Sequence, residues 1–229
     1  MPRPKRDQQV PDMAGAIKEA AWVQIAADGA PGLSLRAIAR QLGITAPAIY
    51  NYFPSRDDLV TALVIDAYAS FAEALITGND SLPEKDFEGR IKATGEAYYR
   101  WAMDYPQRYQ LLFGPALPGY KIPLDEVLST STRSMGVLIG IVEAIRRAGK
   151  LRESGIPEPD EITGEYIAML NMLGIPAQPQ SLTIAVLIWS RVHGLVSLEL
   201  SGNLSRAECK ALLNYELDSI SKQFISRGE

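Results

Sequence analysis

The stretch LSLRAIARQLGITAPAIYNYFPSRDDLV, residues 33–60, decides how the rest of the chain is read. Ser34 offers a side-chain oxygen at a helix N-terminus, and Leu35, Ile38, Ala39 and Leu42 then recur at helical spacing until Gly43. Thr45 is the next candidate cap, and Pro47 falls in the first turn of a third helix, where its missing N–H is not needed. That helix is expected over 46–52. Two short helices joined by a tight, glycine-containing turn have helix-turn-helix spacing. In that geometry Ile38, Leu42, Ile44 and Ile49 pack inward, leaving Ala46, Pro47, Tyr50 and Asn51 on the outer face of the third helix. Ser55 then caps a fourth helix over 55–78, with Asp57 and Asp58 in its first turn, where the macrodipole favours anions. Leu59, Leu63, Ala67, Phe71 and Leu75 give it an apolar stripe spaced by four.

Upstream, Ile17, Ala20, Ala21 and Ile25 mark a helix over 13–28, ended by Gly29 and the Pro31-Gly32 pair. Charge divides the chain in the same place. Residues 1–56 carry seven basic side chains (Arg3, Lys5, Arg6, Lys18, Arg36, Arg40, Arg56) against four acidic ones, a balance of +3. The overall charge is -4, so the other 173 residues carry -7. A small positive module joined to a larger acidic one suits phosphate binding at one end only. The 229 residues, 47% hydrophobic and 22% charged, are ordinary for a globular protein with a substantial core. The longest apolar runs, 135–142 and 182–189, fall short of the roughly 20 residues of a membrane span, so no membrane partner is expected. No apolar segment follows the basic N-terminus as in a secretory signal, and the single cysteine, Cys209, fits a reducing compartment; a cytoplasmic location is expected.

Residues 33–60 resemble the signature of the TetR family of bacterial transcriptional repressors, including its framework L-G-x-x-x-x-x-x-Y-x-x-F-x-x-[KR]-x-x-L from Leu42 to Leu59. The resemblance implies DNA contacts at Ser34, Arg36, Thr45, Ala46, Pro47, Tyr50, Tyr52 and Arg56. Chemistry adds roles to these. The hydroxyls of Ser34, Thr45, Tyr50 and Tyr52, with the Arg56 charge, suit phosphate oxygens. Arg36 suits a guanine edge or a phosphate, Asn51 an adenine, and Ala46 and Pro47 an apolar contact such as a thymine methyl. The family often carries histidine where this chain has Tyr52, which still donates to phosphate. The arm at residues 3–6 either reaches a minor groove or is a solvated tail.

The remainder also reads as helices: one with Phe87, Ile91, Tyr98, Trp101, Ala102 and Tyr105; a short one over 107–113; a long one with Leu124, Leu128, Met135, Leu138, Val142 and Ile145, closed by Arg146, Arg147 and Gly149; and one near 161–173. The helix over 181–200 carries two stripes, Leu182, Val186, Trp189, His193, Val196 and Leu200 on one face and Ile184, Ile188, Leu195 and Leu198 on another. The final helix carries Cys209, Leu213, Leu217, Ile220 and Phe224. A doubly apolar helix needs two packing partners, most simply its own core and a second subunit in a four-helix bundle. Segments 99–114 (YRWAMDYPQRYQLLFG) and 189–200 (WSRVHGLVSLEL) resemble the WHG subgroup of the family.

The expected fold is therefore all-α, with a DNA-binding domain at 1–56 and a helical effector-binding and dimerisation domain at 57–229. The expected function is a dimeric, ligand-responsive regulator, a repressor on a pseudo-palindromic double-stranded operator, released when a small apolar effector tilts the fourth helix. Tyr98, Trp101, Tyr109, Phe113, Met135, Met169, Trp189 and His193 are candidate effector contacts, though any one of them reads more readily as structural core. No cofactor or metal is expected, because His193 and Cys209 lack neighbours at ligand or catalytic spacing. The alternative reading is a helical small-molecule-binding protein or enzyme without a DNA role, for which no acid, base and nucleophile stand together.

Overall fold

The computed structural model describes residues 12–152 and 177–226. The arm at 3–6, the helix expected near 161–173 and Met169 lie outside them. Among the described residues the elements are helical apart from one isolated bridge, Leu151 to Ile225, as the all-α reading requires. In chain order they are α1 (Met13–Asp28), a 3-10 turn (Ala30–Gly32), α2 (Leu35–Gln41), α3 (Ala46–Tyr50), α4 (Arg56–Asp80), α5 (Phe87–Asp104), α6 (Pro106–Phe113), α7 (Leu124–Arg147), α8 (Pro179–Leu200) and α9 (Arg206–Phe224). They sort into two compact units that do not follow chain order. The first joins residues up to Ala67 with Gln107–Val127; the second joins Tyr68–Pro106 with the chain from Leu128 onward.

In the first unit the caps explain where the helices begin. Asp12 Oδ1 accepts from the Gly15 N–H at 2.8 Å, and Ser34 Oγ accepts from the Ala37 N–H at 3.4 Å. α2 ends in a Schellman motif: the Ile44 N–H reaches Ala39 O at 3.0 Å while Gly43 sits at φ +67, a conformation that favours glycine. Ile17, Ile25, Leu33, Leu35, Ile38, Ile49, Phe53, Leu59 and Leu63 form the core; Leu42 and Ile44, expected inward, are only half-buried. α3 stops at Tyr50 instead of Tyr52, because the Asn51 and Tyr52 N–H groups bond Ala48 O and Ile49 O, three residues back, and tighten the last turn. Thr45 occupies the N-cap position but its side chain makes no capping bond. At α4, Ser55 Oγ accepts from the Asp58 N–H at 3.1 Å and donates to Asp58 Oδ2 at 2.8 Å.

The second unit buries Phe87, Ile91, Tyr98 and Trp101 of α5, Leu138, Ile139, Val142 and Ile145 of α7, and the whole expected stripe of α9. A Cβ at Gly95 would stand 2.5 Å from Leu217 Cδ2, so α5 takes the α9 leucine against bare backbone. α9 starts with a full capping box between Ser205 and Glu208, and α7 ends at Gly149, where the Lys150 N–H reaches Ile145 O at 3.1 Å. Two expected stripes need correction at their ends: Tyr105 is 43% and Leu124 68% exposed. The two stripes of α8 also sort differently. Ser181 to Ala185 are buried on every side, and Ile188, Val192 and Val196 continue one buried face. Val186, Trp189, His193, Leu195 and Leu200 are half-buried, and Leu198 is exposed. Among the described residues α4 and α8 are long and apolar enough to cross a membrane, yet their apolar residues supply much of the buried core.

Two polar sites lie within this second core. Glu143 of α7 is 4% exposed; its carboxylate accepts from Arg146 at 2.9 Å and from the Gln178 N–H at the start of α8 at 2.7 Å. Burial alone pushes that carboxyl up, but these hydrogen bonds and the guanidinium charge outweigh it and hold it below the usual carboxylate value. The second site surrounds Cys209, which is fully buried and donates to Leu195 O at 3.5 Å. Burial, with Glu199 alongside, pushes its thiol up to about 12, and burial with the same carboxylate pushes Tyr99 up to about 12.

Candidate nucleic-acid interface

α2 and α3 present a polar outer surface because their apolar residues are used inward. α3 buries Ile49 alone, which leaves Thr45, Ala46, Pro47, Tyr50 and Asn51 exposed along one short helix. Tyr50 is 39% and Tyr52 49% exposed, and Tyr52 lies in the turn after the helix. Arg36 is exposed on α2 and Ser34 is half-buried, its oxygen engaged in the cap. An exposed tyrosine hydroxyl is a donor looking for an anion. The outer surface therefore combines hydroxyls, amides and guanidiniums, groups able to meet phosphates and base edges.

Two arginines behave differently from the sequence-based expectation. Arg56 is half-buried, and its Nη2 donates to Ala30 O at 3.0 Å, with Pro31 O at 3.5 Å. It ties the start of α4 to the 3-10 turn before α2 as well as offering charge. Arg40, not singled out in the sequence, is exposed one helical turn beyond Arg36 on the same face of α2. Neither Arg36 nor Arg40 forms an ion pair or hydrogen bond among the described residues. Spacing of four in a basic helix was the signal that would have found Arg40.

The candidate effector residues divide between the units. In the second unit the Tyr98 hydroxyl meets His193 Nδ1 at 2.8 Å, and the Trp189 ring lies 4.8 Å from the imidazole. Phe71, absent from the expected set, joins this cluster: it meets Tyr98 edge-on at 4.9 Å and Trp101 at 4.7 Å, while Trp101 Nε1 donates to Ser70 Oγ at 2.8 Å. Met135 is half-buried on α7. Tyr109 and Phe113 pair with each other at 5.2 Å in the first unit. Burial holds His193 below the usual imidazole value. The unfolded chain therefore takes up a proton near pH 6.5 that the folded one resists, and this stabilising term is present above that pH and lost as pH falls. The melting temperature should accordingly drop more between pH 7.5 and 5.5 in the wild type than in His193→Gln, the chain having no other histidine. Among the described residues no group of three His, Cys, Asp or Glu side chains stands close enough to hold a metal ion.

Residues 17–63 match the family of bacterial regulatory proteins, tetR family, and residues 91–220 match the tetracyclin repressor-like C-terminal domain. This chain belongs to the TetR family. It is 32% identical over 198 residues to the HTH-type transcriptional regulator Rv1816 of Mycobacterium tuberculosis, covering 86% of this chain and 85% of that protein. The crystal structure of the putative regulatory protein SCO4313 superposes with a TM-score of 0.70 at 34% identity, over 90% of this chain and 94% of that one. A protein of unknown function from Rhodococcus sp. RHA1 shares the fold, with a TM-score of 0.75 at 20% identity, over 97% of this chain and all of that one. The TetR assignment makes the chain a DNA-binding transcriptional regulator.

Proposed function

We propose that this TetR-family chain is a cytoplasmic homodimeric repressor that binds a pseudo-palindromic operator through α2 and α3 and is released by a small apolar effector, without catalysing a reaction. The observation that carries the reading is the outer face of α3, where Ile49 alone is buried and the flanking donors are exposed. Dimerisation is supported by apolar side chains left uncovered on the last two helices, Leu198 of α8 and Leu212 and Tyr215 of α9, the last 72% exposed. Two such helices per subunit suit a four-helix interface, and a two-fold protein suits half-sites about 34–36 Å apart. The Phe71, Tyr98, Trp101, Trp189 and His193 cluster is the effector candidate, with α4 running from the first unit into the second as the element an effector would tilt.

Footprinting the DNA flanking its own gene tests the operator directly; a protein that protects no pseudo-palindrome at low salt is not this repressor. Arg36→Ala should weaken operator binding by about 1–3 kcal/mol and relax sequence preference at one position. Tyr50→Phe should instead weaken all sequences alike, by about 0.5–1.5 kcal/mol for one lost hydroxyl contact. Arg40→Ala should lower the salt slope by about one unit. Binding titrations over a range of salt concentrations separate the three.

A further inference from the structure

The loop between α6 and α7 contains Leu117-Pro118-Gly119-Tyr120. The Tyr120 N–H bonds Leu117 O at 3.2 Å and Gly119 has φ +79, so proline at the second position and glycine at the third form a type II turn. Pro115 and Pro123 stiffen its flanks. The turn presents the Tyr120 hydroxyl to Thr61 Oγ1 of α4 at 3.0 Å, and Thr61 is 7% exposed. Both residues belong to the first unit. We propose that Tyr120 is a positioning residue for operator binding, holding α4 at the tilt in which its Arg56 clamps the turn ahead of α2 and α3.

The argument is geometric. Three side chains of α4 make the ties: Arg56 to Ala30 O, Thr61 to Tyr120, and Asp66 to Lys18 of α1 at 2.6 Å. They are spaced by five residues, and at about 100° per residue successive ties leave the helix about 140° apart. The first half of α4 is thus held from three sides, like a mast with three stays. The Asp66–Lys18 pair is exposed enough to be screened, whereas the Thr61–Tyr120 bond is sheltered. Without the Tyr120 stay, α4 gains tilts in which Arg56 is displaced, and the fraction of molecules ready to bind falls. Apparent affinity falls with that fraction.

This rests on reading α2 and α3 as the operator surface, and the test separates the two. Operator affinity is measured with the footprinted duplex for wild type, Tyr120→Phe, Thr61→Val, Thr61→Ser and the Phe/Val double variant, at a temperature where circular dichroism shows each fully folded. Tyr120→Phe and Thr61→Val should each weaken binding by about 3- to 10-fold, the size of one net hydrogen bond. The double variant should be no weaker than either single one, Thr61→Ser should bind as wild type does, and the salt slope should not change, because no phosphate contact is lost. A Tyr120→Phe protein within twofold of wild type, or additive losses in the double variant, overturns the positioning role alone. A wild-type protein that binds no duplex overturns both readings.

Discussion

An Ile49→Ala protein is expected to lose about 2–5 kcal/mol of stability in its DNA-binding unit and, with it, operator binding at every sequence. Ile49 is fully buried, and it is the one buried side chain of the five-residue α3. A helix that short has no independent stability, since nucleation costs more than so few hydrogen bonds return. Its position depends on packing, here on one isoleucine, together with Phe53 just beyond it, which is 8% exposed. Tyr50→Phe is the control, one residue away and outward-facing. It should melt with the wild type while losing operator affinity. Thermal melts followed by helicity, run beside operator titrations, distinguish loss of the helix from loss of a contact.

The second large effect is expected at Glu143. Truncation to alanine removes the acceptor for Arg146 and for the Gln178 N–H and leaves a cavity, at a cost of about 2–4 kcal/mol. The lower part of that range reflects Arg146, whose side chain is 34% exposed and can turn to water. pH gives a further check. The folded carboxyl titrates below its unfolded value, so its contribution is complete above about pH 4.3 and is lost as pH falls through the folded value. Denaturant titrations should show the gap between wild type and Glu143→Ala at pH 7 narrowing below about pH 4. A gap that stays constant to pH 3 would mean that the methylene packing of Glu143, and not its charge, holds the start of α8.

Much of this architecture was legible because helical spacing is local. The stripes at Leu59, Leu63, Ala67, Phe71 and Leu75, and at Cys209, Leu213, Leu217, Ile220 and Phe224, are buried throughout. Caps at Ser34 and Ser55 were equally visible, since a cap and the N–H it accepts from lie within three residues. What spacing conceals is any partner far along the chain. Arg56 read as a phosphate ligand because nothing local claims it, while its acceptor, Ala30 O, lies 26 residues back. The α8 stripes were missorted because its first turns are buried on all sides, where periodicity carries no direction. The return of residues 107–127 to the first unit leaves no trace in hydrophobic pattern; it shows in contacts such as those of Tyr120 with Thr61 and of Arg108, 5.4 Å from the Trp22 ring.

The single buried thiol has a practical consequence. With no exposure and its ionisation pushed up to about 12, Cys209 is closed to alkylating reagents while α9 stays packed. Its modification therefore times the opening of the second unit: each labelled molecule marks one excursion in which α9 has lifted from α8. An effector that binds that unit should slow the clock in proportion to its occupancy, giving a readout of ligand binding that needs neither operator nor engineered probe.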